Sequence, residues 1–255
     1  VCWLDIRDGN LYFSKDKLQT LVPVFPKDGN EPFKGEYICK LLPGPYNCMY
    51  VGTITGLKEV NLTNKTVRTL LSKDESGDDI YVREIAFYSD DELWAGTESG
   101  LYIYNLRTKK TVHLRNVSGD PYPKQYTYFD KVYPRTEIDE MGKRVREFCA
   151  DHDGTLWIGT EDKGLFHYYP STGLIEPFRH PDIYHNVHGL CLDGNYLWVG
   201  HFAKGLNRID LRTHAVKHYF DAPNDIFSIC RTTSGNLWLG TTAGLFRYHS
   251  ETNRF

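Results

Sequence analysis

The feature that most constrains this chain is a short phrase, Leu-Trp-x-Gly-Thr, that recurs along it. It stands at residues 93–97, 156–160, 197–201 and 237–241, with His201 in place of Thr in the third copy, and residues 49–53 carry Tyr in place of Trp. A Gly-Leu pair and alternating apolar residues follow each copy. This pattern predicts a strand, a tight hairpin and a second strand in every unit.

The spacing of the phrase predicts the architecture. The copies lie about 40 residues apart, with one insertion of roughly 20 residues, which is the length of a four-stranded propeller blade. An apolar segment precedes each copy and another strand follows its hairpin, so each unit has four strands. We therefore predict an all-β chain, a β-propeller of four-stranded antiparallel blades. The blade units lie near 1–25, 38–71, 81–114, 146–178, 188–219 and 226–255, with an insertion at 115–143.

The first unit is degenerate, with residues 8–13 in the place of the turn and second strand and no Gly-Leu pair. Six units either close a ring alone or form part of a larger, seven-bladed ring, since propellers have 4 to 8 blades. Either way, we expect residues 1–255 to be a single propeller domain or part of one. A β-helix has shorter coils, and the apolar period of two excludes a helical solenoid.

The composition limits the kinds of molecule that we expect this chain to bind. The chain has 255 residues, 30 basic and 33 acidic, with a formal charge of −3 and no long run of either sign. This balance argues against direct contact with nucleic acid. No apolar stretch approaches the roughly 18 residues that span a bilayer. No signal peptide precedes Val1, so we expect that any targeting or anchoring segment has been removed.

The fullest copy of the repeat, Asp-x-x-Gly-x-Leu-Trp-Ile-Gly-Thr followed by Gly-Leu at residues 151–165, resembles the two-component regulator propeller repeat. In that family such propellers form the periplasmic sensor region of Bacteroides-type hybrid two-component systems, part of an inner-membrane protein. The resemblance implies a non-enzymatic region, without cofactor, that senses an oligosaccharide to regulate glycan utilisation genes. It also implies contacts with the remaining sensor domains and a homodimer. It transfers no ligand-binding residue.

Two residue types have a structural interpretation. Cys149, Cys191 and Cys230 occupy the same slot before their tryptophans as Ala86, and Cys39 falls on the corresponding strand, so we predict buried free thiols on the inner strands. No spacing supports a zinc site. Because the tryptophans have a fixed place in every blade, we expect them to pack between sheets rather than to stack on sugars.

The loops are the better candidates for ligand binding, because the blade-to-blade connections and the hairpins between second and third strands emerge at one end of a propeller. The first candidate group is in the insertion and combines aromatic faces with cations that suit a sugar carboxylate or sulfate: Tyr122, Lys124, Tyr126, Tyr128, Tyr133 and Arg135. The alternative is that these aromatics pack the loop onto its own ring or a neighbouring domain.

A second candidate group lies in a later connection and the hairpin it faces: Asp182, Tyr184, His185, His201 and Phe202. Its alternative is a solvated polar loop. Arg144 is predicted near the mouth of the central channel, where anions would be attracted. No catalytic motif is present. A glycan-sensing module is the first functional hypothesis, and a propeller lyase or glycosidase, or a structural blade set for dimerisation, remain as alternatives.

Overall fold

The structure is a computed structural model. It describes residues 2–6, 10–16, 19–25, 31–114, 125–128, 131–134, 144–169, 171–172 and 174–255. These residues form strands and turns, with no helix among them, so none of the described part could cross a membrane as a helix. By its internal contacts the chain divides into two compact units. Unit 1 is Val1–Ser99 with Ile103–Thr111, and unit 2 is Gly100–Tyr102 with Val112–Phe255.

Antiparallel sheets of consecutive strands build both units, as expected for blades. The first sheet contains β1 (Cys2–Ile6), β2 (Asn10–Ser14) and β3 (Val22–Pro23). The second contains β4 (Ile38–Gly44), β5 (Cys48–Thr53), β6 (Gly56–Asn61) and β7 (Thr66–Leu71). The third contains β8 (Val82–Phe87), β9 (Glu92–Thr97), β10 (Gly100–Asn105) and β11 (Thr111–Leu114).

The insertion carries a separate hairpin, β12 (Gln125–Tyr128) with β13 (Lys131–Pro134). The fourth sheet contains β14 (Val145–Ala150), β15 (Leu156–Thr160), β16 (Leu165–Tyr169) and β17 (Leu174–Phe178). The fifth contains β18 (Val187–Asp193), β19 (Tyr196–His201), β20 (Gly205–Asp210) and β21 (Val216–Tyr219). The sixth contains β22 (Ile226–Arg231), β23 (Leu237–Thr241) and β24 (Gly244–Tyr248). The predicted all-β class and the four-stranded antiparallel blades are confirmed, with four strands in the second to fifth sheets and three described strands in the first and sixth; the single-domain organisation stays a prediction.

The first sheet differs from its sequence-based alignment. Asn10–Ser14 is its middle strand, paired with β1 on one side and β3 on the other, and Leu11 is fully buried. Trp3 pairs with Phe13 as Trp157 pairs with His167, so β1 to β3 correspond to the second, third and fourth strands of a blade. Leu11 therefore holds the place of the Leu in Gly-Leu, and the prediction that residues 8–13 form a turn and second strand was wrong by one strand.

The glycine of the repeated phrase is required by the packing of one sheet on the next. A Cβ on Gly159 would lie 2.7 Å from Val187 Cγ1, and a Cβ on Gly200 would lie 2.5 Å from Ile226 Cγ2. Real Cβ atoms do not approach so closely. In unit 1, Gly52 faces Val82 in the same way, at 2.9 Å. The first strand of each following sheet thus fits against a second strand that has no side chain there.

Trp157 and Trp198 pack between sheets, as predicted for the tryptophans. Trp157 belongs to an apolar cluster with Leu190 and Leu197 of the fifth sheet, and it is 2% exposed. Trp198, also 2% exposed, packs with Leu237 and Leu239 of the sixth sheet. Burying each of these large side chains stabilises the fold by roughly 2 to 3 kcal/mol. Sheet-to-sheet packing therefore supplies much of the stability of unit 2.

The Asp that opens the fullest copy of the repeat has a structural role, because its carboxylate accepts a hydrogen bond from the buried tryptophan. Asp151 Oδ2 accepts a hydrogen bond from Trp157 Nε1 at 3.0 Å, and Asp193 Oδ2 is 3.5 Å from Trp198 Nε1. The indole N–H loses water when the ring is buried, so it needs a protein acceptor. The turn acid provides that acceptor.

The cysteines lie where the sequence predicts, opposite the tryptophans. Cys149 pairs with Trp157, Cys191 with Trp198 and Cys230 with Trp238. The cysteines whose side chains the structure describes, Cys39, Cys48, Cys149, Cys191 and Cys230, are free. Burial raises the pKa of Cys149 to about 12 and that of Cys191 to about 11, so both remain thiols. The prediction of burial was wrong for Cys230, which is exposed on the sixth sheet, and Cys39, Cys149 and Cys191 are only partly buried.

We predict that Gly200→Ala destabilises the protein by about 2 kcal/mol, because the new methyl group must displace Ile226. Chemical denaturation measures the change in unfolding free energy. Ile226→Ala, which removes Cγ2, serves as the partner in a double-mutant cycle. The double variant is expected to be less destabilised than the sum of the single variants. Strict additivity would contradict the contact.

Candidate functional site

The loops of unit 2 are held in place by a repeated set of backbone hydrogen bonds. The hairpin glycines donate to the connections that follow each sheet: Gly164 N to His185 O at 2.9 Å, and Gly205 N to Asn224 O at 3.0 Å. Both glycines have positive φ values, 86° and 71°, which disfavour other residues. The Gly-Leu pair therefore fixes both its own hairpin and the neighbouring connection.

These bonds create a cavity of about 350 Å³ at the hairpin end of unit 2. It lies between the β15–β16 hairpin and the connection that follows β17. The residues lining it are Lys163, Gly164, Phe178, Arg179, His180, Pro181, Ile183 and His185. Lys163, Arg179 and His185 are exposed. None of the lining residues is acidic.

The connection is braced by its own polar contacts. The Asp182 backbone N–H donates to His180 Nδ1 at 3.2 Å, so Nδ1 carries the lone pair and the neutral ring carries its proton on Nε2. Asn207 Nδ2 donates to the Asp182 carbonyl at 2.9 Å, and Asn207 itself is fully buried on β20. The sheet thus holds the loop, and His180 presents a single N–H donor.

The residues of the second candidate group do not all lie at the cavity. His185 lines the cavity, while Tyr184 packs edge-on against His201, with the ring centroids 5.6 Å apart, and lies beneath Lys204. The side chain of Asp182 lies beside the cavity, 3.8 Å from His180 Nδ1, and is not among the lining residues. The structure therefore brings these residues onto one loop surface, with His185 alone of the predicted group on the cavity wall.

His201 is corrected from a ligand contact to a buried packing residue. Its side chain is 0% exposed, so it cannot touch a ligand in this arrangement. Where the other copies have Thr, the hydroxyl bonds the hairpin glycine, as Thr160 Oγ1 does to Gly164 O at 2.9 Å. Burial lowers the pKa of His201 to about 4, with the nearby histidines adding to the effect. The ring is neutral at neutral pH.

Phe202 belongs to an aromatic group that the sequence did not reveal. Its ring centroid lies 5.6 Å from that of His188 and 5.8 Å from that of Phe227, and the latter two are 5.8 Å apart. Phe202 and Phe227 are 40% and 43% exposed. His188 and Phe227 each follow a β-branched residue at the start of a first strand, at a register shift in the pairing. Aligning the first strands of the repeats would have found both positions.

Arg144 is engaged in an ion pair. Its Nη1 lies 3.3 Å from Glu161 Oε1, and Glu161 also binds Arg146. Glu161 is on the β15–β16 hairpin, so Arg144 helps to anchor this hairpin beside the cavity.

The insertion candidates are only partly described. Tyr126 and Tyr128 lie on β12, and Tyr133 lies on β13 opposite Tyr126. Tyr122, Lys124 and Arg135 lie outside the described residues. Groups of His, Cys, Asp or Glu suited to hold a metal ion are absent from the described part of the chain.

We predict that His201 makes stability depend on pH. Between its ordinary pKa of 6.5 and about 4, the unfolded chain binds a proton that the folded state does not, so stability falls as pH falls through this window. The slope from this group reaches about 1.4 kcal/mol per pH unit. His201→Thr should flatten the pH dependence of the unfolding free energy. His152→Thr, at an exposed turn, is the control, and an unchanged slope in His201→Thr would refute the assignment.

A family profile agrees with the repeat. The family described as "Two component regulator propeller" matches residues 139–162 and 222–243. These segments include the phrases of the fourth and sixth sheets. No curated protein sequence matches the chain.

Solved structures share the fold. The extracellular domain of the putative hybrid two component system BT3049 from B. thetaiotaomicron superposes with a TM-score of 0.69 at 20% identity, covering 86% of this chain and 29% of that one. That of BT4673 from the same organism gives 0.69 at 22% identity, covering 98% and 32%. Virginiamycin B lyase from Staphylococcus aureus gives 0.67 at 12% identity, covering 98% and 77%.

The chain thus spans about a third of the length of the two extracellular domains. Its sheets have their fold, and two of its phrases match the family profile. The chain therefore carries two-component regulator propeller repeats, the type of repeat that its sequence resembles.

Proposed function

We propose that this chain is part of the extracytoplasmic sensor region of a hybrid two-component system, and that unit 2 binds an acidic oligosaccharide fragment. The family profile and the extracellular domains of similar fold support the sensor role. The cavity at the hairpin end of unit 2 supports the ligand class. On this proposal, ligand binding is passed to the remaining sensor domains, within a homodimer at the inner membrane.

The charge of the cavity is the observation that carries the proposal. Lys163 and Arg179 are cationic, and His180 and His185 add imidazole groups, whereas none of the described residues that line the wall carries a carboxylate. An exposed, low-dielectric recess with charge of one sign attracts the opposite charge. An Arg guanidinium also binds carboxylate and sulfate groups in a bidentate manner. A uronic acid or a sulfated sugar supplies such a group.

The size and surroundings fit a small fragment. A volume of about 350 Å³ is at the lower end of the range for small-molecule sites, which suits one or two sugar rings. The exposed rings of Phe202 and Phe227 lie at the same hairpin end, since Phe202 N is bonded to Asn186 O of the connection at 3.2 Å. Aromatic faces pack well against the apolar face of a pyranose. They offer a second contact for a longer fragment.

We predict that Lys163→Ala combined with Arg179→Ala weakens the binding of an acidic disaccharide at least tenfold. Each charge-assisted hydrogen bond contributes about 1.5 kcal/mol or more, and the attraction is screened by salt. Calorimetric titration with unsaturated uronate disaccharides, at low and high salt, measures the loss. The matched control removes two charges elsewhere, at the exposed Arg212 and Lys110.

The outcomes separate the alternatives. Equal loss in the control pair would show only a general charge effect and would contradict the site. Binding accompanied by cleavage of the sugar would support the propeller-enzyme alternative. Absence of binding to the complete sensor region would count against glycan sensing, whereas binding to that region but not to this chain would favour a structural role for these sheets.

A further inference from the structure

A larger cavity, of about 1040 Å³, lies in unit 1 at the other end of its sheets. It is formed by the turn between β4 and β5, the turn between β8 and β9 and the turn between β10 and β11. These turns join first to second and third to fourth strands, so they emerge opposite to the hairpins that carry Gly-Leu. The polar and aromatic groups at its opening are Tyr46, Asn61, Asp90, Asp91, Arg107 and Lys109.

The inner wall of this cavity is aromatic and rigid. Tyr50, which replaces the tryptophan of the other copies, is 3% exposed and packs edge-on against Phe87, with the ring centroids 5.4 Å apart. Gly44 lies against the Tyr50 ring so closely that a Cβ there would be 2.4 Å from it. Burial raises the pKa of Tyr50 to about 12, so its hydroxyl stays protonated. The wall offers apolar surface, and the phenol keeps its proton to donate.

Tyr46 at the opening has no evident role in the fold. It is 92% exposed, and its φ is 55°. Asn47 follows with φ 56°, and Cys48 N donates to Pro45 O at 3.1 Å, as in a type I′ turn. Asn is usual in such a turn, but a bulky aromatic at positive φ is rare and costs stability. The exposed ring of Tyr46 is therefore available to contact a ligand at the opening.

The charges around the opening cancel. Asp90 and Asp91 lie near Arg107 and Lys109, and Arg107 Nε is 3.6 Å from Asp91 Oδ2, a loose ion pair. Glu59, also on the wall, is paired with Arg68 at 2.7 Å. The opening therefore combines donors and acceptors without net charge. This arrangement suits neighbouring hydroxyl groups, each of which both donates and accepts, better than it suits an ion.

We propose that this cavity is a second binding site, in unit 1, for a neutral oligosaccharide that stacks on Tyr46. The volume lies at the upper end of the range for small-molecule sites and accommodates several sugar rings. The site is independent of the acidic-sugar site of unit 2, because different residues form it and its charge balance is different. Its ligand carries no carboxylate or sulfate.

The test is titration of the chain with neutral oligosaccharides of glucose, xylose and mannose, followed by saturation-transfer NMR and calorimetry. Tyr46→Ala should weaken binding about tenfold, since a sugar ring loses its aromatic platform. Tyr37→Ala is the matched control, because Tyr37 is a 53% exposed tyrosine of unit 1 that does not line the cavity. Salt should leave the affinity unchanged.

A second variant separates binding from folding. Tyr46→Asn places a residue that tolerates positive φ in the turn, so the melting temperature should rise by about 2 °C while sugar binding weakens about tenfold, as in Tyr46→Ala. Lys163→Ala with Arg179→Ala should leave neutral-sugar binding intact, and Tyr46→Ala should leave acidic-sugar binding intact. A neutral-sugar affinity that is unchanged by loss of Tyr46, or no binding of any neutral sugar, would overturn the proposal without affecting the site in unit 2.

Discussion

The close approach between a glycine and a β-branched side chain on the next sheet is the contact on which the sheet packing depends. It occurs at Gly52 with Val82 in unit 1, and at Gly159 with Val187 and Gly200 with Ile226 in unit 2. The missing Cβ lets the first strand of the following sheet lie directly on the second strand of the preceding one. The tryptophan two residues earlier can then be covered by the same neighbour. One small residue thereby determines the spacing of the large ones.

The same contact determines where variable side chains project. In each of the sheets with a described first strand, the pairing shifts register at the residue after the β-branched one. A bulge of this kind re-aims a side chain away from the regular pleat. In unit 2 the re-aimed residues are Arg146, His188 and Phe227, of which one anchors the cavity hairpin through Glu161 and two form the aromatic group with Phe202. The β-branched residue that packs in each of these sheets of unit 2 is therefore followed directly in sequence by a residue that differs from sheet to sheet.

The sequence was sufficient to predict the fold, because the repeated phrase, the hairpin after it and the spacing between copies all indicate the same four-stranded unit. It was less informative about the site. Lys163 and His188 occupy ordinary positions of the repeat, and only the path of the connection after β17 and the register shift in β18 make them accessible to a ligand. His201 was predicted as a ligand contact because it lies in the hairpin that faces the connection after β17. Its burial shows that an unusual residue in a packed slot can remain a packing residue.

The cavity of unit 1 was also invisible to sequence reasoning, for a different reason. Its opening is built from three turns that are distant in the chain, and two of its lining residues, Tyr46 and Lys109, have positive φ values, 55° and 60°. A positive φ value is a property of the folded turn. The sequence Asn-Gly typically predicts such a turn, whereas Pro-Tyr-Asn does not. Turn conformation and charge balance, rather than motifs, distinguish the two cavities.

The burial of the repeated phrase depends on whether another sheet packs against it, as well as on the residues of the phrase itself. Leu165 and Leu206, in the Gly-Leu pairs of the fourth and fifth sheets, are 1% and 0% exposed, whereas Leu245 in the sixth is 69% exposed. Cys230 is exposed there too, although its slot is the same as that of Cys149. The family profile matches the sixth sheet nonetheless, at residues 222–243. The repeated phrase therefore forms a surface against which a following sheet can pack. Where such a sheet covers it, that surface becomes part of the hydrophobic core.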